Sequence, residues 1–153
     1  MIQKNIIIVD DQNILGIVNS EIVRLGNETD LNHIDVSRVT NMSFLFCDVP
    51  FNGDISKWDT SKVNNMDCMF RHSEFNNDIS SWDVSNVLSA DYMFEGSPFN
   101  GDISNWNLRR LNVIDKGLIR VIENSYKKKS EKEEIFLKEN LLSVKKYNIV
   151  KSL

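Results

Sequence analysis

Apolar residues recur along the middle of the chain with a period of 24 residues. Three segments, 35–58, 59–82 and 83–106, align without a gap, and ten of the 24 positions are identical in all three. The identical apolar positions form five columns: Val39/Val63/Val87, Phe46/Phe70/Phe94, Phe51/Phe75/Phe99, Ile55/Ile79/Ile103 and Trp58/Trp82/Trp106. One such unit cannot bury its own apolar face, so the repetition predicts stacked units that share one core.

Within each copy, the spacing predicts a short helix followed by a short strand. In the second copy the apolar residues at helical spacing are Val63, Met66, Met69 and Phe70. Ser61 precedes them as a candidate N-cap, and Ile79 follows as the inward residue of a strand that ends near Trp82. We therefore predict an α/β repeat solenoid with 24-residue units of a short helix plus a short strand, and with helical caps at both ends.

The two ends of the chain differ in composition from the repeats. Residues 12–25 are apolar at helical spacing and are followed by Gly26, which predicts an N-terminal cap helix. Residues 111–122 predict a helix that closes the last copy. A charged stretch and further apolar residues then predict a tail helix, which folds back, pairs with a second chain to form an oligomer, or stays loose.

These elements divide the chain into three parts. The predicted boundaries are 1–34 for an N-terminal strand and helix cap, 35–106 for three solenoid repeats, and 107–153 for a C-terminal helical cap and charged tail helix.

The repeat resembles a known family. The consensus F-N-x-D-I-S-x-W-D-x-S-x-V-x-x-M-x-x-M-F is similar to that of the BspA-like leucine-rich repeats, a mycoplasma-type repeat domain of unknown function that also occurs in some phages. The resemblance covers residues 30–108, and the segment LNHIDVS resembles the family's N-terminal cap. It implies that the solenoid is leucine-rich-repeat-like with short parallel strands, and it implies binding or adhesion roles and no catalytic residues.

Charge and hydropathy narrow the class of partner and the compartment. The net charge of −4 argues against a nucleic-acid partner, which favours basic surfaces. No apolar run reaches the length of a membrane span, and the run Ile6 to Val9 is too short for the core of a secretory signal. We therefore expect a cytoplasmic protein without a membrane partner. In that compartment Cys47 and Cys68 are expected to be free thiols.

Candidate chemistry is sparse. Asp54, Asp78 and Asp102 form a column that could suggest calcium or paired-acid catalysis, yet each follows turn residues, where an aspartate accepts backbone N–H groups. His33 is expected to face solvent, and His72 to lie in a loop without a nucleophile partner. The sequence thus predicts no catalytic, cofactor-binding or metal-binding residues, and no enzyme.

Positions that vary between copies are the candidates for partner binding. Their i, i+4 spacing on the predicted helices places Phe44, Leu88 and Tyr92 on one helix flank, with Arg71 and His72 in the loop that follows. The terminal segments either cover this flank or leave it open. We expect a non-catalytic protein–protein interaction module, one form of which is a phage or mobile-element protein that binds and inhibits a host factor. The alternative is a fragment or relative of a bacterial surface or adhesion repeat protein. Metal-binding and enzymatic functions rank last.

Overall fold

A computed structural model describes residues 5–127 of the 153-residue chain. Its regular elements are β1 (Ile7–Ile8), α1 (Ile14–Leu25), β2 (Ile34–Asp35) and α2 (Lys116–Lys127). Strands β1 and β2 pair in parallel, with Ile7 opposite Ile34 and Ile8 opposite Asp35. The predicted tail helix lies outside the described residues.

The prediction of an α/β repeat solenoid of the leucine-rich-repeat type is wrong. The described chain has two helices and one small sheet of two parallel strands. Residues 36–115, all described, contain neither a helix nor a strand, only turns and the isolated parallel bridges Asn41–Asn65 and Asn65–Ser89. The predicted unit of one helix and one strand is therefore not formed in any copy.

Left-handed backbone explains why the apolar spacing does not produce helices. Within the repeats, the residues with positive φ fall at two equivalent positions of every copy: Phe44 (62°), Cys68 (55°) and Tyr92 (59°), then Asp48 (57°), His72 (53°) and Gly96 (67°). A right-handed helix cannot continue through such residues. Ser61 is a turn residue rather than an N-cap, because its N–H donates to Asp59 Oδ1 at 3.1 Å. Local bonds of this kind compete with helix formation.

The aromatic rings of successive copies stack face to face. The centroid distances are 5.5 Å for Phe46–Phe70, 5.8 Å for Phe70–Phe94, 6.2 Å for Phe51–Phe75, 5.8 Å for Phe75–Phe99 and 6.4 Å for Trp58–Trp82. All of these rings are buried. The prediction that the identical apolar columns form the core is confirmed, with each buried phenylalanine contributing about 1.5–3 kcal/mol relative to an exposed one.

Backbone groups in the turns are satisfied by the neighbouring copy. The N–H groups of Met42, Phe44, Phe46 and Asp48 donate, each at 2.9 Å, to the carbonyls of Asn65, Asp67, Met69 and Arg71. The second copy repeats this pattern onto the third. The indole N–H of Trp82 donates to Ile55 O at 3.2 Å. Pairing between copies thus replaces the bonds that a helix or sheet would supply.

Two aspartates close the ends of this hydrogen-bonded stack. The Asp11 carboxylate accepts the N–H groups of Thr40 (2.7 Å) and Asn41 (3.0 Å), whereas the equivalent N–H groups of the second copy donate to the Thr40 carbonyl. Burial alone would raise the pKa of Asp11, but these hydrogen bonds and one from the Thr40 hydroxyl hold it below its usual value. Asp115 accepts the Tyr92 N–H and caps α2 by accepting the Leu118 N–H at 2.9 Å.

Both helices bury one face in the core. The residues that do so are Ile14, Val18 and Ile22 in α1 and Leu118, Val121 and Ile122 in α2. A helix is present where residues 12–25 predict one, and α2 begins later than the predicted 111–122. No helix among residues 5–127 has the length and apolar character needed to cross a membrane.

Candidate partner-binding surface

Three large apolar side chains of the repeats stand out from the core, and two of them, Phe44 and Tyr92, occupy equivalent positions of the first and third copies. The helix that was expected to bring Leu88 beside Tyr92 is not formed. Phe44 is 55% exposed, Tyr92 is 53% exposed and Leu88 is 37% exposed. We call these three residues the aromatic flank. Among the described residues, neither helix buries these three side chains. Helices α1 and α2 therefore do not cover the flank, which was one of the two alternatives for the terminal segments.

The middle copy interrupts the aromatic flank. Cys68 is equivalent to Phe44 and Tyr92 and shares their left-handed backbone, yet it is buried, and burial raises the pKa of its thiol. Phe44 N–H donates to Asp67 O and Cys68 N–H donates to Asp91 O, each at 2.9 Å. The two rings therefore belong to the first and third layers, with a small side chain between them in the second.

A row of carboxylates runs beside the aromatic flank. It consists of Asp67, Asp91 and Asp115, which occupy equivalent positions 24 residues apart and are all part-buried; Asp91 directly precedes Tyr92. Asp67 Oδ1 accepts the Ser89 hydroxyl at 2.5 Å and the Asp91 N–H at 2.8 Å. We call this set the carboxylate row.

Asp91 is the strained member of the carboxylate row. Its Oδ1 atom is buried and has no hydrogen-bond partner among the described residues. The copy-to-copy alignment explains this, because Val113 stands where Ser89 supplies a hydroxyl to Asp67. Burial is the main cause that raises the pKa of Asp91, and the negative charges of Asp67 and Asp115 raise it further.

Arg71 and His72 tie successive copies together. Arg71 Nε donates to Glu95 Oε2 at 2.9 Å, and His72 Nδ1 lies 3.1 Å from Asp48 Oδ1. Both side chains are part-exposed. The hydrogen bond from the Cys47 thiol, followed by the contact with His72, lowers the pKa of Asp48. These two candidate residues thus lie on the surface with their polar ends already engaged.

Comparison with known sequences places the chain in a family. The family described as "Mycoplasma protein of unknown function, DUF285" matches residues 19–129, most of the chain. The chain belongs to this family. The sequence prediction of a mycoplasma-type domain of unknown function is therefore confirmed. No curated protein and no solved structure matches the sequence.

The DUF285 region also contains a partly buried cluster of Glu21, Arg24 and His33 that the sequence prediction missed. His33 was expected to face solvent, and this is wrong: its side chain is 7% exposed, and its Nε2 atom lies 2.9 Å from Glu21 Oε2. Arg24 contacts the same carboxylate at 2.6 Å. The hydrogen bond from Arg24 is the largest cause that lowers the pKa of Glu21. The charged Glu21 in the last two turns of α1 was the signal that could have indicated a partner for His33.

The aspartate column of the DUF285 repeats is engaged in turns. Asp54, Asp78 and Asp102 each accept, through Oδ1 and at 2.9 Å, the N–H of the serine two residues later. The prediction that they act as turn acceptors is confirmed. Within residues 5–127 no group of three or more acidic, histidine or cysteine side chains is arranged to hold a metal ion.

Proposed function

We propose that the protein is a non-catalytic protein-binding module and that its partner docks on the aromatic flank. The observation that carries the proposal is the exposure of Phe44, Leu88 and Tyr92 on a chain whose other repeated aromatic residues are buried. Exposed apolar patches on soluble proteins mark interaction surfaces. Aromatic side chains are also the commonest energetic anchors at protein interfaces.

The backbone beneath the aromatic flank supports this use. The N–H of Phe44 is bonded to Asp67 in the next copy, and the N–H of Tyr92 is bonded to the Asp115 side chain. Leu88 N–H donates to Asn64 O at 2.8 Å. A surface fixed in this way loses little conformational entropy when a partner binds, which favours affinity.

The narrower assignments belong to the same proposal. Kinship with BspA-like repeat proteins is supported by the shared consensus rather than by the DUF285 match, and it favours binding or adhesion roles. A cytoplasmic location and the inhibition of a host factor by a phage or mobile-element protein are supported by the sequence pattern alone. Location can be checked by fractionating native cells and probing each fraction with an antibody against the intact chain.

The test measures partner affinity in variants of the aromatic flank. The intact chain captures its partner from host extract, and the affinity of the purified pair is then measured for Tyr92→Glu and Leu88→Asp. Loss of an interface anchor costs about 2 kcal/mol or more, roughly a thirtyfold weaker complex. Thermal melting of each variant shows that the fold is retained.

A matched control is available on α1. Val23 is 89% exposed and lies outside the aromatic flank, so Val23→Glu introduces the same charge elsewhere on the surface. We expect full affinity from this variant. Full affinity in both folded flank variants would exclude the aromatic flank and make the loop edge formed by Arg71 and His72 the next candidate.

A further inference from the structure

We infer that the aromatic flank selects a partner segment in which a lysine or arginine lies beside an apolar side chain. The inference rests on the proposed function and names the chemistry of the partner at that same surface. It follows from the position of the carboxylate row relative to the aromatic flank, and from the charges around both.

The aspartates of the carboxylate row are linked to the exposed rings through the backbone. Asp67 and Phe44 are joined by one backbone hydrogen bond between layers, in which the Phe44 N–H donates to the Asp67 carbonyl at 2.9 Å. Tyr92 is bonded to Asp115 through the carboxylate itself, and Asp91 precedes Tyr92 in the chain. Tyr92 in the third layer therefore has two aspartates close to its backbone, Asp91 and Asp115, whereas Phe44 in the first layer meets Asp67 through a backbone carbonyl.

Few cations lie near the carboxylate row among the described residues. Arg71, the cation nearest to Cys68 in the middle of the column, is paired with Glu95. The raised pKa of Asp91 has burial, Asp67 and Asp115 as its causes, with no cation among them. Lys116 follows Asp115 at the start of α2, and its side chain is exposed. The carboxylate row thus keeps an excess of negative charge next to apolar surface.

The charge of the carboxylate row would make the aromatic flank selective among apolar partner segments. Apolar contact with Phe44 and Tyr92 would accept many hydrophobic segments, whereas like charges placed against the carboxylate row are repelled. A basic residue gains attraction at the same place, and because the row is at the surface this attraction weakens as salt screens it. The aromatic flank supplies contact area and the carboxylate row supplies discrimination.

The experiment uses a library of short random peptides displayed on phage and selected on the intact chain. Selected peptides are synthesised together with two matched forms, one with glutamate in place of each basic residue and one with serine in place of each apolar residue. Affinities are measured for the native chain, for Phe44→Ser with Tyr92→Ser, and for Asp91→Asn. We expect selected peptides to pair basic with apolar residues and to bind at least tenfold more tightly than either matched form.

The variants separate the outcomes. Binding that is lost in the serine variant, weakened severalfold in Asp91→Asn and weakened again by raised salt supports the inference. Equal affinity for the basic and glutamate forms, with loss only in the serine variant, overturns the charge preference while the aromatic flank stands. Binding that is unchanged in the serine variant overturns both the inference and the proposed site. Selection of no peptide excludes a short segment as the partner, and a folded partner or a second copy of the chain then takes its place.

Discussion

Two columns of the repeat lie two residues apart and have opposite fates. Phe46, Phe70 and Phe94 are fully buried and stack on one another at 5.5 and 5.8 Å. The neighbouring column carries Phe44 and Tyr92, which are half exposed, although Phe44 is the same residue type as the buried column. In the first copy the backbone supports both columns alike, because the N–H groups of Phe44 and Phe46 each donate to a carbonyl of the second copy at 2.9 Å. Residue type alone therefore does not decide which aromatic ring is core and which is surface.

The difference arises in the backbone. Phe44, Cys68 and Tyr92 have left-handed φ values, whereas Phe46, Phe70 and Phe94 do not. A non-glycine residue in that region is uncommon, and for a bulky side chain it is a conspicuous exception that costs free energy. The same irregular backbone is used in three successive copies, so the exposed position is a regular feature of the repeat.

The largest loss of stability is expected from a substitution at Phe70, in the buried column. Its ring contacts four others, with centroids 4.2 Å from Phe75 and 6.2 Å from Trp82 in addition to its two stacking partners. Phe70→Ala should lower the free energy of unfolding by about 3–5 kcal/mol, because it removes buried area and leaves a cavity. Urea denaturation measures the loss.

Phe44→Ala is the matched control for Phe70→Ala. It removes the same atoms from an exposed, left-handed position, and we expect a change within about 0.5 kcal/mol. A similar loss in both variants would show that the two columns are equally buried in solution, and that another part of the chain covers the aromatic flank.

A smaller effect is expected at the tryptophan column. Trp82→Phe keeps an aromatic ring but removes the indole donor of the 3.2 Å hydrogen bond to the Ile55 carbonyl. A buried carbonyl left without its partner costs about 1–3 kcal/mol. Thermal melting should place Trp82→Phe below the native chain. Trp106→Phe, in the last copy and slightly more exposed, should lose less; the reverse order would contradict a core centred on the middle copy.

The sequence predicted the core more fully than the local structure. Apolar residues that are identical in all copies correctly indicated buried positions, because rings such as Phe70 and Trp82 stack on their equivalents in the neighbouring copies. The sequence did not predict the backbone path, since helical spacing at Val63, Met66 and Met69 is compatible with turns that return the same side chains inward.

The candidate surface was predictable in part. Variation between copies indicated Phe44, Leu88 and Tyr92 as candidates, and their exposure agrees with a surface role. The carboxylate row was not predicted. Asp91 lacks a hydroxyl partner because Val113 stands at the position equivalent to Ser89, and this difference matters only when the copies are stacked. The burial of His33 was missed for a similar reason, since its partner Glu21 lies on α1, outside the repeat.

Val113→Ser tests whether a missing hydroxyl explains why Asp91 Oδ1 has no hydrogen-bond partner. Ser89 donates its hydroxyl to Asp67, and a serine at position 113 would offer the equivalent hydroxyl to the unpartnered Asp91 Oδ1. Val113 is 47% exposed, so little buried apolar area is lost. We expect a gain of about 1 kcal/mol in unfolding free energy, measured by urea denaturation. Val113→Ala, which offers no hydroxyl, should give no gain; an equal gain in both would refute the hydrogen bond.

The smallest expected effect concerns the ionisation of Asp91. Its pKa in the folded protein lies above the usual value for an aspartate, through burial and then the charges of Asp67 and Asp115. The folded state therefore holds this proton more tightly than the unfolded chain. The stability that Asp91 contributes is fully present below the usual aspartate pKa and is lost as pH rises through the raised folded pKa.

At neutral pH, Asp91→Asn should consequently be more stable than the native chain, by a few tenths to about 1 kcal/mol, because the buried, repelled charge is gone. The measurement is unfolding free energy against pH for both proteins. Their difference should shrink as acid protonates Asp91 in the native chain, even while both lose stability from other carboxylates such as Asp11, whose lowered pKa has the opposite sign. Asp67→Ala is the control: Asp67 Oδ1 accepts two hydrogen bonds, so removing this acceptor should destabilise. A difference between Asp91→Asn and the native chain that stays constant with pH would mean that the substitution acts through packing, and that the carboxylate row carries no electrostatic strain.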